Sequence, residues 1–339
     1  MLPILVAYID QQNQPITWKS VIAVLFFFCN KFLLSLGVAS TMKMSPVTLL
    51  EEFCKELGRR EEAIRAAYKQ ARIQLDENSP LAKALAEAKE LADGVKSKES
   101  ANDQSIHRTV EAAHVVYALA ESIETCRSGG LDITRHLAQM ATGTINFGTP
   151  GTSEKKDIYL KDFEYELFIA STLLNNGLRP NFLDDPSDPI GEMEVNGLIV
   201  ECKHPNAESK LMRNITKFGK KLLEADRYGI FAAGIEDAYR LGDVEVFADM
   251  QAYSDWLEPK RDAMETSGRR RAAQVSGHER ILALIHTQTK LLIIDGQTSL
   301  SRLGNAMLFD NNENFPSHEA DVTSVARAFI PSPLRYSML

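Results

Sequence analysis

The stretch Gly191-Glu192-Met193-Glu194-Val195-Asn196-Gly197-Leu198-Ile199-Val200-Glu201-Cys202-Lys203-His204-Pro205 decides how the rest of the chain is read. Asn196-Gly197 is the preferred pair for a two-residue type I′ turn, because both central residues need positive φ. The flanks, Met193 to Val195 and Leu198 to Cys202, supply the β-branched and apolar residues of strands. A two-residue loop fixes the register. Val195 faces Leu198, Glu194 faces Ile199, Met193 faces Val200 and Glu192 faces Glu201. Side chains alternate along a strand, so Glu192, Glu201 and Lys203 share one face. Like charges directly opposite each other repel. Two carboxylates and a lysine on one face therefore need a reason, and a divalent cation is a good one.

Upstream, Lys161 to Asn176 is predicted to be a helix ended by Gly177. Phe163, Leu167, Ala170 and Leu174 form its apolar centre. Glu166 falls inside that stripe, where a carboxylate is costly unless paired or bound to metal. Glu164 shares a direction with Ser171 and Asn175 and is expected on a solvated edge. Leu178 to Leu183 reads as a first strand, followed by the turn-rich loop Asp184 to Pro189. Downstream, Ala207 to Ala225 reads as a helix and Tyr228 to Ile235 as a strand. Lys210, Arg213, Lys217 and Lys220 lie on one face of that helix, with Lys221 beside them. Such a face is often only solvated. A stripe of one sign repels itself, however, and this one directly follows the Glu-Cys-Lys strand.

An acid on one strand followed by Glu-X-Lys on the next, here Glu201-Cys202-Lys203, resembles the PD-(D/E)XK nuclease superfamily. Gly191 to Ile235 is also similar to a set of bacterial proteins of that superfamily, in which Glu-Cys-Lys-x-Pro precedes a basic helix and a strand. That set carries no assigned substrate. The resemblance implies an α/β fold with a restriction-endonuclease-like αβββαβ core. It implies a metal-dependent nuclease hydrolysing phosphodiester bonds, with DNA the foremost substrate. Glu166, Glu192 and Glu201 would hold Mg²⁺ or Mn²⁺, whose preference for hard oxygen ligands they suit. Lys203 would orient the attacking water or stabilise developing charge. Lys210, Arg213, Lys217 and Lys220 would contact phosphates. The second acid stays open: Glu192 ranks first, Asp188 second as the nearest match to a literal Pro-Asp, and Glu194 third. Two rival classes remain. One is a catalytically inactive relative that binds nucleic acid or a protein partner. The other is a helical interaction or membrane-tethered protein with the α/β part as scaffold.

The 339-residue chain as a whole sets bounds. An apolar fraction of 44% is ordinary for a globular protein. A formal charge of −8 argues against a uniformly basic nucleic-acid binder but leaves room for a local basic groove. Cys29, Cys54, Cys126 and Cys202 are scattered, which fits neither a zinc motif nor a disulfide framework and points to a reducing, cytoplasmic setting. Residues 1–41 form an apolar leader interrupted by Asn30 and Lys31. Three readings stand for it: an upstream artefact with the true start at Met42 or Met44, a membrane anchor through residues 16–40, or a signal peptide cleaved near Gly37-Val38-Ala39. Residues 45–141 read as a helical accessory domain, with Gly58 stopping or kinking its first helix. Residues 142–157 read as a linker, and 158–339 as the PD-(D/E)XK-like domain with a C-terminal extension. Within that extension Asp249 to Ala273 is expected to be mostly helical and to carry Arg269-Arg270-Arg271. Gly277 to Thr287 is expected as another helix, and Lys290 to Asp295 as a buried strand. Ala306 to Phe309 is expected as an edge strand and Val322 to Phe329 as a closing helix. His107 with His114, and His278 with His286, have no partners in register for a metal. A homodimer is left open.

Overall fold

The structure is a computed structural model and describes residues 46–93, 103–141, 159–183, 190–205, 207–235, 244–247, 277–294, 297–310 and 312–329, with a few positions between 251 and 273. The apolar leader, the linker at 142–157, Asp188 and the arginines at 269–271 lie outside the described residues. Among the described residues no helix is long and apolar enough to cross a membrane.

The chain starts with helices. The first, α1 (Pro46–Gln70), runs unbroken for 25 residues. Gly58 therefore does not stop it. A Cβ at Gly58 would lie 3.5 Å from Ala92 Cβ, so the glycine marks where the next helix passes. That helix, α2 (Pro80–Asp93), starts from Ser79, whose Oγ accepts the Ala82 N–H at 3.2 Å. This is a serine cap with proline in the first turn. Then come α3 (Asp103–Ser128), α4 (Thr134–Met140) and α5 (Tyr159–Asn175).

After α5 the order is strand, strand, strand, helix, strand. These are β1 (Asn181–Phe182), β2 (Met193–Val195), β3 (Leu198–Lys203), α6 (Glu208–Glu224) and β4 (Gly229–Gly234). Next are β5 (Val244–Phe247), β6 (Ile281–Ile294), β7 (Gln297–Leu308) and a closing helix α7 (Glu319–Arg327). The described strands form one mixed sheet in the order β1-β2-β3-β4-β6-β5, with β7 on the other edge of β6. β3 runs parallel to β4 and β4 parallel to β6, whereas β1, β2 and β3 are mutually antiparallel neighbours. Because β7 lines β6 along its length, β4 and β5 share its opposite edge.

Both faces of the sheet are covered, which makes an α/β protein of three layers. One buried cluster runs from Leu57, Ile64 and Leu119 through Leu167 and Leu173 to Val200, Cys202, Ile230 and Ile285. The helices α1 to α5 thus continue into the sheet core without a break. The other cluster joins Ile199, Phe231, Ala233 and Leu284 to Leu211, Ile215, Phe218 and Leu222 of α6. Each such fully buried side chain contributes about 2 kcal/mol.

The helix expected over Gly277 to Thr287 is a strand instead. After one 3₁₀ turn (His278–Arg280), Ile281 to Thr287 pairs in parallel with β4. Ile281-Leu282-Ala283-Leu284-Ile285 is buried on both faces, so it shows no alternation. A short apolar run of that kind has the same periodicity as a buried helix segment, and its two isoleucines tip it to strand.

Candidate active site

The site is built on the β2–β3 hairpin. Asn196 and Gly197 both have positive φ, at 51° and 78°. The pairs are Val195 with Leu198, Glu194 with Ile199 and Met193 with Val200, three of the four implied by the two-residue turn; the ladder ends before Glu192 and Glu201, which are not paired in it. Glu192 sits one residue before β2 and is tied by its backbone on both sides. Its N–H donates to the Val200 carbonyl at 2.9 Å, and its carbonyl accepts from the Leu183 N–H at 3.0 Å. The preceding residue must be small. A Cβ at Gly191 would lie 2.5 Å from Ile199 Cγ2 and 3.1 Å from the Val200 carbonyl oxygen.

The side chains of Glu192, Glu201 and Lys203 meet. Lys203 Nζ lies 3.0 Å from Glu201 Oε1 and forms a second ion pair with Glu192 Oε1. Glu201 is 6% exposed. Burial pushes its pKa up, Lys203 opposes that shift, and the charge of Glu192 adds to it. Burial also works against the charge on Lys203, but Glu201 and Glu192 outweigh it and hold its pKa above the ordinary lysine value. Lys203 is thus a fixed ammonium between two carboxylates. Of the alternative acids, Glu194 turns to Arg227, with 2.9 Å between them, and Asp188 lies outside the described residues.

Glu166 approaches from α5 and is 4% exposed. Its Oε2 lies 3.0 Å from Nε2 of His136, which is itself 1% exposed and comes from α4. The imidazole is held between the Phe182 ring, with centroids 4.2 Å apart, and the Phe163 ring, with centroids 5.7 Å apart and the planes perpendicular. His136 Nδ1 is buried with no hydrogen-bond partner. Burial, helped by the nearby charge of Arg135, brings the His136 pKa down to about 4. Burial and then the charge of Glu192 push Glu166 well above the usual carboxylate range. One helical turn earlier, Asp162 Oδ1 accepts the His204 backbone N–H at 3.3 Å, and burial raises its pKa too. Glu164, expected on a solvated edge, is buried at 8% exposure, because the α3 layer covers that side of α5.

His136 and Asp162 are the site residues that sequence reasoning missed. Each carried a signal. His136 completes an i, i+3, i+4, i+7 stripe with Ile133, Leu137 and Met140, all of them buried. Asp162 stands four residues before Glu166 and so faces the same way.

Glu166 and Glu201 reach the site from different sides. α5 packs in the cluster that holds Val200 and Cys202, whereas Glu201 shares the face of Ile199, which packs under α6. Among the described residues no three His, Cys, Asp or Glu side chains stand as a ready metal cage. The donor chemistry nonetheless suits a hard divalent cation. Carboxylates surround the end of β3, and the Cys202 thiol is fully buried with its pKa pushed far up, so it offers no thiolate. Glu192 and Glu201 are the oxygen donors already placed together through Lys203.

Beside this centre, α6 presses Leu211, Ile215, Phe218 and Leu222 onto the sheet and turns its basic residues away from it. Arg213, Lys217 and Lys220 are exposed and Lys210 is half-buried. Among the described residues none of the four has an ion-pair partner. Lys221, on the flank of this face, lies near enough to Glu201 for its charge to lower that carboxyl's pKa. The basic face therefore extends to the edge of the carboxylate centre.

Comparison of the chain with models of protein families, with curated proteins and with solved structures finds no match.

Proposed function

We propose that this protein is a metal-dependent nuclease of the PD-(D/E)XK type, cutting phosphodiester bonds in DNA. The observation that carries the reading is the double ion pair of Lys203 with Glu192 and Glu201, at the C-terminal end of β3. The αβββαβ order, with β3 parallel to β4 and antiparallel to β2, agrees with it.

In this reading Glu192, Glu201 and Glu166 would hold Mg²⁺ or Mn²⁺, with Asp162 close behind. Such an ion, when bound, would supply charge stabilisation at the phosphoryl oxygen and would lower the pKa of a water. Lys203, held protonated by Glu201 and Glu192 in the metal-free chain, acts as a hydrogen-bond donor and a positive charge. It orients the attacking water and stabilises negative charge developing on phosphorus oxygens. The basic face of α6 receives the phosphate backbone on the flank where Lys221 meets Glu201.

The test is a cleavage assay in Mg²⁺ and in Mn²⁺ over single- and double-stranded DNA and RNA, with Lys203→Ala beside the wild type. Metal-dependent cleavage that the variant loses supports the reading. No cleavage of any substrate defeats it. A second reading has one observation in its favour: the described carboxylates do not form a ready three-ligand cage. A nuclease-fold protein that binds nucleic acid without cutting it would show binding in the same samples and no products.

A further inference from the structure

His136 lies 30 positions before Glu166 in sequence, in the helical part that the hairpin motif does not touch. Three elements nevertheless converge on its ring: α4 carries it, Phe163 of α5 stands perpendicular to it, and Phe182 of β1 covers it. Ile133, Leu137 and Met140 anchor α4 in the core on either side. The ring spends one of its two nitrogens on Glu166 and leaves the other buried without a partner. An unsatisfied buried polar atom is destabilising. A leucine or phenylalanine would fill that space without the cost, so packing alone does not account for a histidine. The bond from Nε2 to Glu166 is what a hydrocarbon side chain could not supply.

We propose that His136 is a positioning residue of the candidate site: its Nε2–H holds the Glu166 carboxylate in the orientation that lets it serve a bound divalent cation. The helices at 46–141 then form part of the site. This inference rests on the nuclease reading above. Partners that orient a ligating carboxylate are typically worth 10–100-fold in metal affinity. The chemistry needs only a donor at the Nε2 position. Glutamine places its amide nitrogen there, whereas asparagine is too short and leucine has no donor.

The experiment is calorimetric titration of Mn²⁺ into the full chain, in the wild type, Glu166→Gln, His136→Gln, His136→Asn and His136→Leu, each first shown to be folded by its cooperative urea transition. The expected result is Mn²⁺ binding by the wild type, about 10-fold or greater weakening in Glu166→Gln, and similar weakening in His136→Leu and His136→Asn. His136→Gln should stay within a few-fold of the wild type. Rescue by glutamine and not by asparagine is a pattern that simple loss of packing does not produce. If His136→Leu does not fold, the comparison of asparagine with glutamine decides the matter. Binding lost in Glu166→Gln but unchanged in His136→Asn would overturn the role of His136 and leave the nuclease reading standing. Wild-type protein that binds no Mn²⁺ would overturn both.

Discussion

Lys203 Nζ sits 3.0 Å from Glu201 Oε1, and the same ammonium reaches back to Glu192. One side chain thus joins the entry to β2 with the end of β3. Without it, two carboxylates would stand close together with no compensating charge between them.

Replacing Lys203 by Met should leave the repulsion between Glu192 and Glu201 uncompensated. Removing one partner of a buried ion pair typically costs about 3–5 kcal/mol, because the remaining charge stays buried and unpaired. The metal-free Lys203→Met protein should lose stability on that scale in urea unfolding. Adding Glu192→Gln should recover much of the loss, since it removes one of the two neighbouring charges. A loss under about 1 kcal/mol would place the three groups in solvent rather than in the protein interior.

Gly191→Ala should disturb the site through the backbone. The new methyl group would meet Ile199 Cγ2 and the Val200 carbonyl, and the carbonyl cannot turn aside as a flexible side chain can. Overpacking of this kind costs about 1–3 kcal/mol. Glu192, the next residue, should shift with it, so metal-dependent cleavage should fall along with the urea midpoint. An alanine variant with wild-type stability and activity would show that the approach of Gly191 to β3 is looser than described.

The pH dependence of stability without metal follows from His136. Its pKa is near 4 in the folded chain and about 6.5 when unfolded. A depressed pKa means that the contribution is present above the unfolded value and is lost as pH falls through the folded one. The wild type should therefore lose up to about 3 kcal/mol between pH 6.5 and pH 4 from this residue. Glu166 and Glu201, both raised, act with the opposite sign, and their contributions fade as pH rises above the ordinary carboxylate range. The readout is the difference between urea curves of the wild type and His136→Gln, measured from pH 7 to pH 4. A difference that does not change with pH would mean that His136 titrates as it does in water.

The hairpin was legible because Asn196-Gly197 admits one turn type and hence one register. Glu192, Glu201 and Lys203 could be placed together before any coordinates, since strand periodicity carries side-chain direction. The basic face of α6 was legible for the same reason at the helical period. Ile281 to Thr287 was not, because a strand buried on both faces loses the alternation that would identify it. Gly58 misled in the other direction: a helix interior tolerates one glycine at about 1 kcal/mol when a neighbouring helix packs closely against it. His136 escaped because its partner is 30 residues away, and a single sequence does not show which distant helix faces which.

The basic helix makes its own prediction. Each phosphate neutralised on duplex DNA contributes a salt slope of about 0.9. If Lys210, Arg213, Lys217 and Lys220 all engage phosphates, DNA binding by a Glu201→Ala protein should weaken on the order of a hundredfold or more between roughly 50 and 200 mM salt. Lys217→Ala should lower the slope by about one unit and weaken binding evenly across sequences. Equal slopes with and without Lys217 would remove this face from the interface.

The proposed function makes Glu192, Glu201 and Lys203 a metal-dependent phosphodiesterase centre. The most direct measurement is single-turnover cleavage of a labelled DNA duplex by the wild type and by Glu201→Gln, at matched protein concentration, with Mn²⁺ and with EDTA. Glu201→Gln keeps the shape of the side chain and removes one ligand charge. The expected result is cleavage by the wild type in Mn²⁺ only, with the variant slower by about a hundredfold or more. Cleavage that persists in EDTA, or that Glu201→Gln carries out at the wild-type rate, would contradict it.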